Sequence, residues 1–96
     1  MQVFQIYDVK AEAFLPPFFL KTVGLAVRTF EAAANEKDHN FYLYGADFTL
    51  FHTGEYDETS GRVKQFEAFK NLGTALSYRD ATAMYQDAPV DALDRV

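Results

Sequence analysis

The sequence predicts an α+β fold: a small antiparallel sheet of three or four strands, one main helix packed on one face and a short C-terminal helix. Three observations support this prediction: a strand-like N-terminal segment, an apolar period of helical type after two prolines, and a hairpin signal in the second half. The chain has 96 residues, enough for one hydrophobic core and too few for two. We therefore expect residues 1–79 to form a single α+β domain.

The first strand is expected at 3–9, which is rich in β-branched and aromatic residues. Residues 11–15 either form a second strand or extend the first one with a bend. The prolines at 16–17 cannot donate to a strand ladder, so a strand ends there or lies at a sheet edge. Phe18 and Phe19 follow this rigid corner, and we favour a hydrophobic plug over the core. The alternative is a docking site for a partner.

The main helix is expected from Thr22 to Asn35. The Thr22 hydroxyl is suited to accept a hydrogen bond from an early helical amide, which makes this residue a plausible N-cap. Apolar side chains then recur at steps of three and four residues, which is typical of one buried helix face. These residues are Val23, Ala26, Val27, Phe30, Ala33 and Ala34.

The second half contains further strand signals. Residues 41–44 form a short aromatic strand candidate, and 47–53 alternate between two faces that both carry rings, which suggests a strand covered on both sides. A polar turn follows, and 62–66 is expected to return as the partner strand of a hairpin. A short C-terminal helix is expected within 67–79, because apolar residues recur there at helical steps.

Charge and composition exclude several functions. The net charge of −5 argues against a protein that grips duplex DNA by phosphate neutralisation alone. Four aspartates against one arginine give 80–96 a net charge of −3, and we expect a mobile acidic tail there. Without cysteine, disulfides and thiolate metal sites are impossible. No apolar run approaches the roughly 20 residues of a membrane span, so we expect no membrane contact and a cytoplasmic location.

Catalytic and metal-binding patterns are weak. His39 lies in the loop that ends the helix, where capping is the simpler role, and His52 lies among apolar neighbours in a strand. A nucleophile motif such as G-x-S-x-G is absent, and the acidic residues near the hairpin turn do not have the spacing of a calcium loop. We therefore expect no enzyme activity, no cofactor and no metal.

Aromatic residues interleaved with cations form the most informative pattern. Single-stranded nucleic acid is bound by rings that stack on bases and by cations that follow the backbone. The alternative is that the tyrosines lie at the surface edge of the core and that the lysines are simply solvated. The candidate nucleic-acid-binding residues are Tyr7, Lys10, Lys21, Arg28, Tyr42, Tyr44, Arg62 and Lys64.

Several sequence blocks resemble, in the same order, the small nonstructural protein of the gokushoviruses. These are tailless icosahedral phages of the Microviridae with circular single-stranded DNA. The resemblance covers about residues 3 to 76. The blocks are YDVKAEA at 7–13, PFF at 17–19, Arg28 with Phe30, Asn35 with His39 and Phe41, and DFTLFHTGEYD at 47–57. The chain departs from the family at 42–45, where members usually carry His or Lys, and in its acidic tail.

The resemblance implies a non-capsid protein expressed in the host bacterial cytoplasm and acting in viral-strand synthesis or genome packaging. The leading hypothesis is a homodimer that binds single-stranded DNA without catalysis. Pairing is expected through a strand edge or the Phe18–Phe19 corner, and affinity is expected to fall steeply with salt. The alternative is an acidic adaptor for phage replication or capsid proteins, which works through the aromatic corner and the tail without binding DNA. A nuclease is a third and weaker hypothesis.

Overall fold

The computed structural model describes residues 1–79, and the acidic tail expected at 80–96 lies outside the described residues. The α+β class is confirmed, with an antiparallel sheet of five strands. A further helix begins at 75 and continues to the end of the described part at 79. The other elements are β1 (Gln2–Asp8), β2 (Ala13–Phe14), β3 (Phe18–Leu20), α1 (Val23–Ala34), α2 (Asn40–Leu43), one turn of 3₁₀ helix (Gly45–Asp47), β4 (Phe48–Asp57) and β5 (Arg62–Thr74).

The sheet has the strand order β2-β1-β4-β5, and β3 also pairs with β1. β2 and β3 share one edge of β1: β2 pairs with Tyr7 and Asp8, and β3 pairs with the segment 2–4. The prolines at 16–17 fall between them and have no amide proton to donate, so the chain pairs with β1 in two short pieces. This observation resolves the open question about 11–15, which contains a separate short strand.

The core lies between the sheet and α1. The sheet contributes Phe4 and Leu50, both fully buried, and α1 contributes Phe30 along with small residues one turn before and one turn after it, at 26 and 34. The predicted cap is confirmed, because the Thr22 hydroxyl accepts a hydrogen bond from the Leu25 amide at 3.2 Å. The helix therefore begins and ends where its apolar period predicts.

The aromatic corner is part of the sheet. Phe18 stacks on Phe4 with ring centroids 5.6 Å apart, so the prediction of a plug is confirmed for this residue. Phe19 is 38% exposed and meets the ring of Tyr56 edge-on at 5.5 Å. Because neighbouring residues of a strand point to opposite faces, one ring fills the core and the next one lies outside it.

One local prediction is wrong. Residues 41–44 were predicted as a strand, but α2 lies there, because Phe41 packs against Phe30 and Phe48 with centroids 5.4 and 4.7 Å apart. The short C-terminal helix expected within 67–79 is confirmed: it begins at 75, after β5 ends at Thr74. Register shifts between β4 and β5 disturb the alternation of β5 and leave apolar steps of three residues that resemble a helical period.

Candidate nucleic-acid interface

The two faces of the sheet have different environments. Phe4, Ile6 and Leu50 point to the side where α1 packs, and the residues that alternate with them point to the other side. The segment 75–79 also packs on the α1 side, since Ala75 belongs to the core cluster. Within residues 1–79, no helix covers the opposite side, which we call the open face.

Four rings on the open face form what we call the open-face cluster: Tyr7, Phe14, Phe51 and Phe69. The Phe14 ring lies at its centre, with centroids 4.9 Å from Tyr7, 5.9 Å from Phe51 and 5.9 Å from Phe69. All three contacts are edge-to-face, the geometry that aromatic quadrupoles favour. Because the rings come from four strands, β1, β2, β4 and β5, the cluster is a property of the folded sheet.

The cluster is accessible to a ligand. Phe14 is 41% exposed, and the other three rings are half-buried. A partly exposed group of rings on a sheet without a helical cover provides flat apolar surface on which unpaired bases stack. The open-face cluster is thus chemically suited to single-stranded nucleic acid, whatever the sequence of the strand.

Lys10 and Tyr44 lie together at one end of the sheet, on the side of the helices, because they share a cavity with the core residue Phe48. They line a cavity of about 310 Å³ between the end of β1 and α2, which we call the β1–α2 pocket. Both residues are exposed, and Tyr44 is 58% exposed. Two of the eight candidates, one cation and one ring, are therefore neighbours in space although 34 positions separate them in the chain.

Arg62 and Lys64 lie together at the other end of the molecule. They line a cleft of about 620 Å³ beside the β4–β5 turn. Across the ladder, Arg62 pairs with Asp57 and Lys64 pairs with Glu55, so each cation faces an acid. The positive charge of this cleft is largely balanced.

The remaining candidates are dispersed. Lys21 is exposed between β3 and α1, and Arg28 is exposed on α1, away from the open face. Tyr42 is half-buried, its carbonyl oxygen accepts a hydrogen bond from Arg79 at 2.6 Å, and the Arg79 guanidinium lies 4.9 Å from its ring centroid. The eight candidates thus do not form one surface. Two pairs lie at different ends of the molecule, and among the eight only Tyr7 belongs to the open-face cluster.

Sequence reasoning missed three members of the cluster. Phe51 had a usable signal, because the alternation of 47–53 placed its ring on the face opposite Leu50. Phe14 and Phe69 had none, because their positions depend on the short strand after the β1 turn and on the irregular register of β5. The rings on both sides of β4 are explained by a core on one side and this cluster on the other.

Neither histidine lies on the open face. His39 caps α2, with its Nδ1 accepting a hydrogen bond from the Phe41 amide at 3.0 Å. His52 is buried, stacks on Phe4 and has its Nε2 2.7 Å from the Gln2 side-chain oxygen. Burial, and then the nearby charge of Lys70, lowers the pKa of His52 below its ordinary value. Both histidines thus have structural roles in the fold.

The described residues contain no group of three or more His, Cys, Asp or Glu side chains arranged to hold a metal ion. None of the helices in this part of the chain is long and apolar enough to cross a membrane.

Comparison with known proteins gives one family. The model of the family described as Phage ORF5 protein matches residues 1–78. The curated proteins gave no significant match, and neither did the solved structures. The family match covers the whole described sheet and every described helix except residue 79. The chain therefore belongs to the Phage ORF5 protein family and is a bacteriophage protein.

Proposed function

We propose that this phage protein binds single-stranded DNA in the host cytoplasm during viral-strand replication or genome packaging, as a non-catalytic accessory protein of a gokushovirus. The observation that carries the proposal is the open-face cluster. Its four rings lie on the helix-free side of the sheet, and the central ring, Phe14, is 41% exposed. Such rings stack on unpaired bases, whereas the bases of a duplex are already stacked on one another.

The charge distribution supports a single strand as the ligand. The net charge of −5 opposes tight binding to the dense phosphates of a duplex. Base stacking contributes about 1–3 kcal/mol per base and requires no net positive charge on the protein. Lys10 lies in the turn between β1 and β2, at the end of the sheet near Tyr7, and would pair with a phosphate where the DNA strand passes this end.

The homodimer remains part of the proposal, and the outer edge of β5 is where we place its interface. β5 is the last strand of the sheet order and has 13 residues, so its outer edge offers a long row of backbone donors and acceptors within the described chain. A second copy of β5 would pair with it in antiparallel fashion around a two-fold axis. This arrangement would bring the two open faces into one continuous surface, and sedimentation equilibrium tests it.

Fluorescence anisotropy with a labelled single-stranded oligonucleotide, at about 50 mM salt, tests DNA binding. We expect the unmodified protein to bind the single strand and to prefer it to a duplex of the same sequence. Phe14→Ala removes the central ring and should weaken binding by about 5- to 150-fold, which corresponds to the loss of one stacked base. Far-UV circular dichroism confirms that the variant is folded.

Val63→Ala is the matched control. Val63 is also an exposed apolar residue, at 54%, but it pairs with Tyr56 near the hairpin turn, roughly 20 Å along β5 from Phe69. The affinity of Val63→Ala for the single strand should stay within about twofold of that of the unmodified protein, since the substitution removes no ring. Absence of single-strand binding at low salt would overturn the proposal and leave the adaptor hypothesis.

A further inference from the structure

The β1–α2 pocket has features of a site for a single planar ligand. Its volume is about 310 Å³, at the lower end of the range of small-molecule sites. An exposed ring, a cation, an amide and two carboxylates surround it. The lining residues are Asp8, Lys10, Asn40, Tyr44, Asp47 and Phe48.

Backbone hydrogen bonds hold the walls of this pocket in place. The Val9 amide donates to the Asp47 carbonyl oxygen at 3.0 Å, which ties the end of β1 to the start of β4. The Asp47 amide donates to the Tyr44 carbonyl oxygen at 2.9 Å, and the Tyr44 amide donates to that of Asn40 at 2.8 Å. Because these bonds form a continuous chain across the pocket, its shape is present before a ligand arrives.

The Tyr44 ring provides the stacking surface. It is 58% exposed, and no other ring within residues 1–79 packs against it. Phe48, which is buried, lies beneath the pocket and joins it to the core. A base stacked on Tyr44 would therefore rest against a fixed part of the fold.

The two carboxylates of the pocket differ in availability. Asp8 accepts hydrogen bonds from the amides of Lys10 and Ala11, at 3.0 and 3.3 Å, so its Oδ1 is engaged. The Asp47 side chain accepts no hydrogen bond from the described residues and is half-buried. A carboxylate in that state is a strong acceptor for an amino group, as in the contacts that Asp and Glu make to the amino group of cytosine.

We infer that the β1–α2 pocket binds one base of the strand, and that it selects bases with an exocyclic amino group over thymine. Tyr44 stacks on the base, the Asp47 carboxylate accepts from the amino group, and the Lys10 ammonium pairs with the adjacent phosphate. Thymine carries a carbonyl oxygen at the position where cytosine carries its amino group, so it would place two acceptors against each other. The inference rests on the proposed function, since the strand must first lie on the open face.

The position of the pocket connects it to the open-face cluster. Tyr7 of the cluster and Asp8 of the pocket are consecutive in β1, and their partners Thr49 and Phe48 are consecutive in β4. Because consecutive residues of a strand point to opposite faces, the pocket lies on the helix side of the sheet, and a DNA strand stacked on the cluster would reach it by passing around the end of β1 at Lys10. The cluster would then bind DNA of any sequence, and the pocket would add a preference for certain bases at one position of the strand.

Anisotropy titrations with oligo-dC and oligo-dT of equal length test this inference. We expect the unmodified protein to bind oligo-dC more tightly, by about 5- to 150-fold if one good contact discriminates the bases. Asp47→Asn should bring the two affinities close together, because an amide serves both as donor and as acceptor. Glu58→Gln is the control: it removes one negative charge from the exposed β4–β5 turn and should keep the preference.

The outcomes separate the inference from the proposed function. Equal binding of both oligonucleotides by the unmodified protein, or an unchanged preference in Asp47→Asn, overturns the role of the pocket while single-strand binding stands. Weaker binding of both oligonucleotides by Phe14→Ala, with the ratio between the two affinities kept, assigns affinity to the cluster and selectivity to the pocket. If neither oligonucleotide binds the unmodified protein, the proposed function itself fails.

Discussion

Gly54→Ala is expected to destabilise the protein strongly, although it adds only one methyl group. Gly54 lies in β4 between two partner strands, opposite Val3 of β1 and Gln65 of β5. An added Cβ would press against the Lys64 carbonyl oxygen and lie 3.2 Å from the Gln65 Cα. These are backbone atoms of β5, which the ladder holds against β4, so the strain cannot be relieved by a side-chain rotation. We expect a loss of about 1–3 kcal/mol, the usual cost of overpacking.

Gly24→Ala is the control, and it is expected to change stability in the opposite direction. Gly24 lies in the first turn of α1, and an added Cβ would meet only the Thr22 hydroxyl oxygen at 3.9 Å, which is ordinary contact. Alanine is favoured over glycine in a helix by up to ~1 kcal/mol, so this variant should be more stable. Thermal unfolding followed by circular dichroism checks both variants: 1 kcal/mol shifts Tm by about 4–8 °C in a domain of this size. A Gly54→Ala midpoint within about 2 °C of the unmodified protein would refute the reasoning.

Three further predictions concern the core, the helix cap and a buried imidazole. Leu50→Ala should cost about 2–5 kcal/mol in urea unfolding because Leu50 is fully buried, whereas the exposed Leu43→Ala should change stability by less than about 0.5 kcal/mol. Thr22→Ala should cost about 0.5–2 kcal/mol, and Thr22→Ser should restore most of it, since only the hydroxyl caps α1. Because the pKa of His52 is lowered in the folded protein, a fall in pH below about 6.5 protonates this imidazole in the unfolded chain before it does so in the folded one. Stability should therefore decline below that pH, and His52→Gln should reduce the decline in urea titrations across pH 5–7.

The fold class, α1 and β4 could be predicted because each has a complete local signal. The helix has a cap at Thr22 and an uninterrupted apolar period, and both are read from adjacent positions. β4 alternates cleanly from Phe48 to His52, and these residues are buried as the alternation predicts. Local patterns suffice where neighbouring residues alone determine the environment.

The sequence-based prediction fails where contacts between residues distant in the chain determine the local structure. Phe41 is helical because its ring packs between Phe30 and Phe48, an arrangement that the local sequence does not encode. Phe14 and Phe69 are 55 positions apart in the chain, yet their rings lie 5.9 Å apart because both side chains project onto the open face and meet across β1 and β4. The pairing register that creates the open-face cluster includes irregularities, and these remove the period on which prediction depends.

Ionic strength distinguishes a stacking surface from the cationic groove that the sequence suggested. Each phosphate neutralised on a single strand contributes about −0.7 to the slope of log K against log salt. A groove lined by all five predicted cations would thus give a slope near −3.5. The structure instead places Arg28 on the helix side and sets Arg62 and Lys64 opposite acids. Lys21 lies between β3 and α1, which leaves Lys10 as the predicted cation nearest in the chain to the open-face cluster. We therefore expect a slope of about −1 or shallower in anisotropy titrations, and Lys10→Ala should bring it close to zero. A slope near −3.5 would show that phosphate contacts dominate, and the affinity would then have to come from a surface other than the rings.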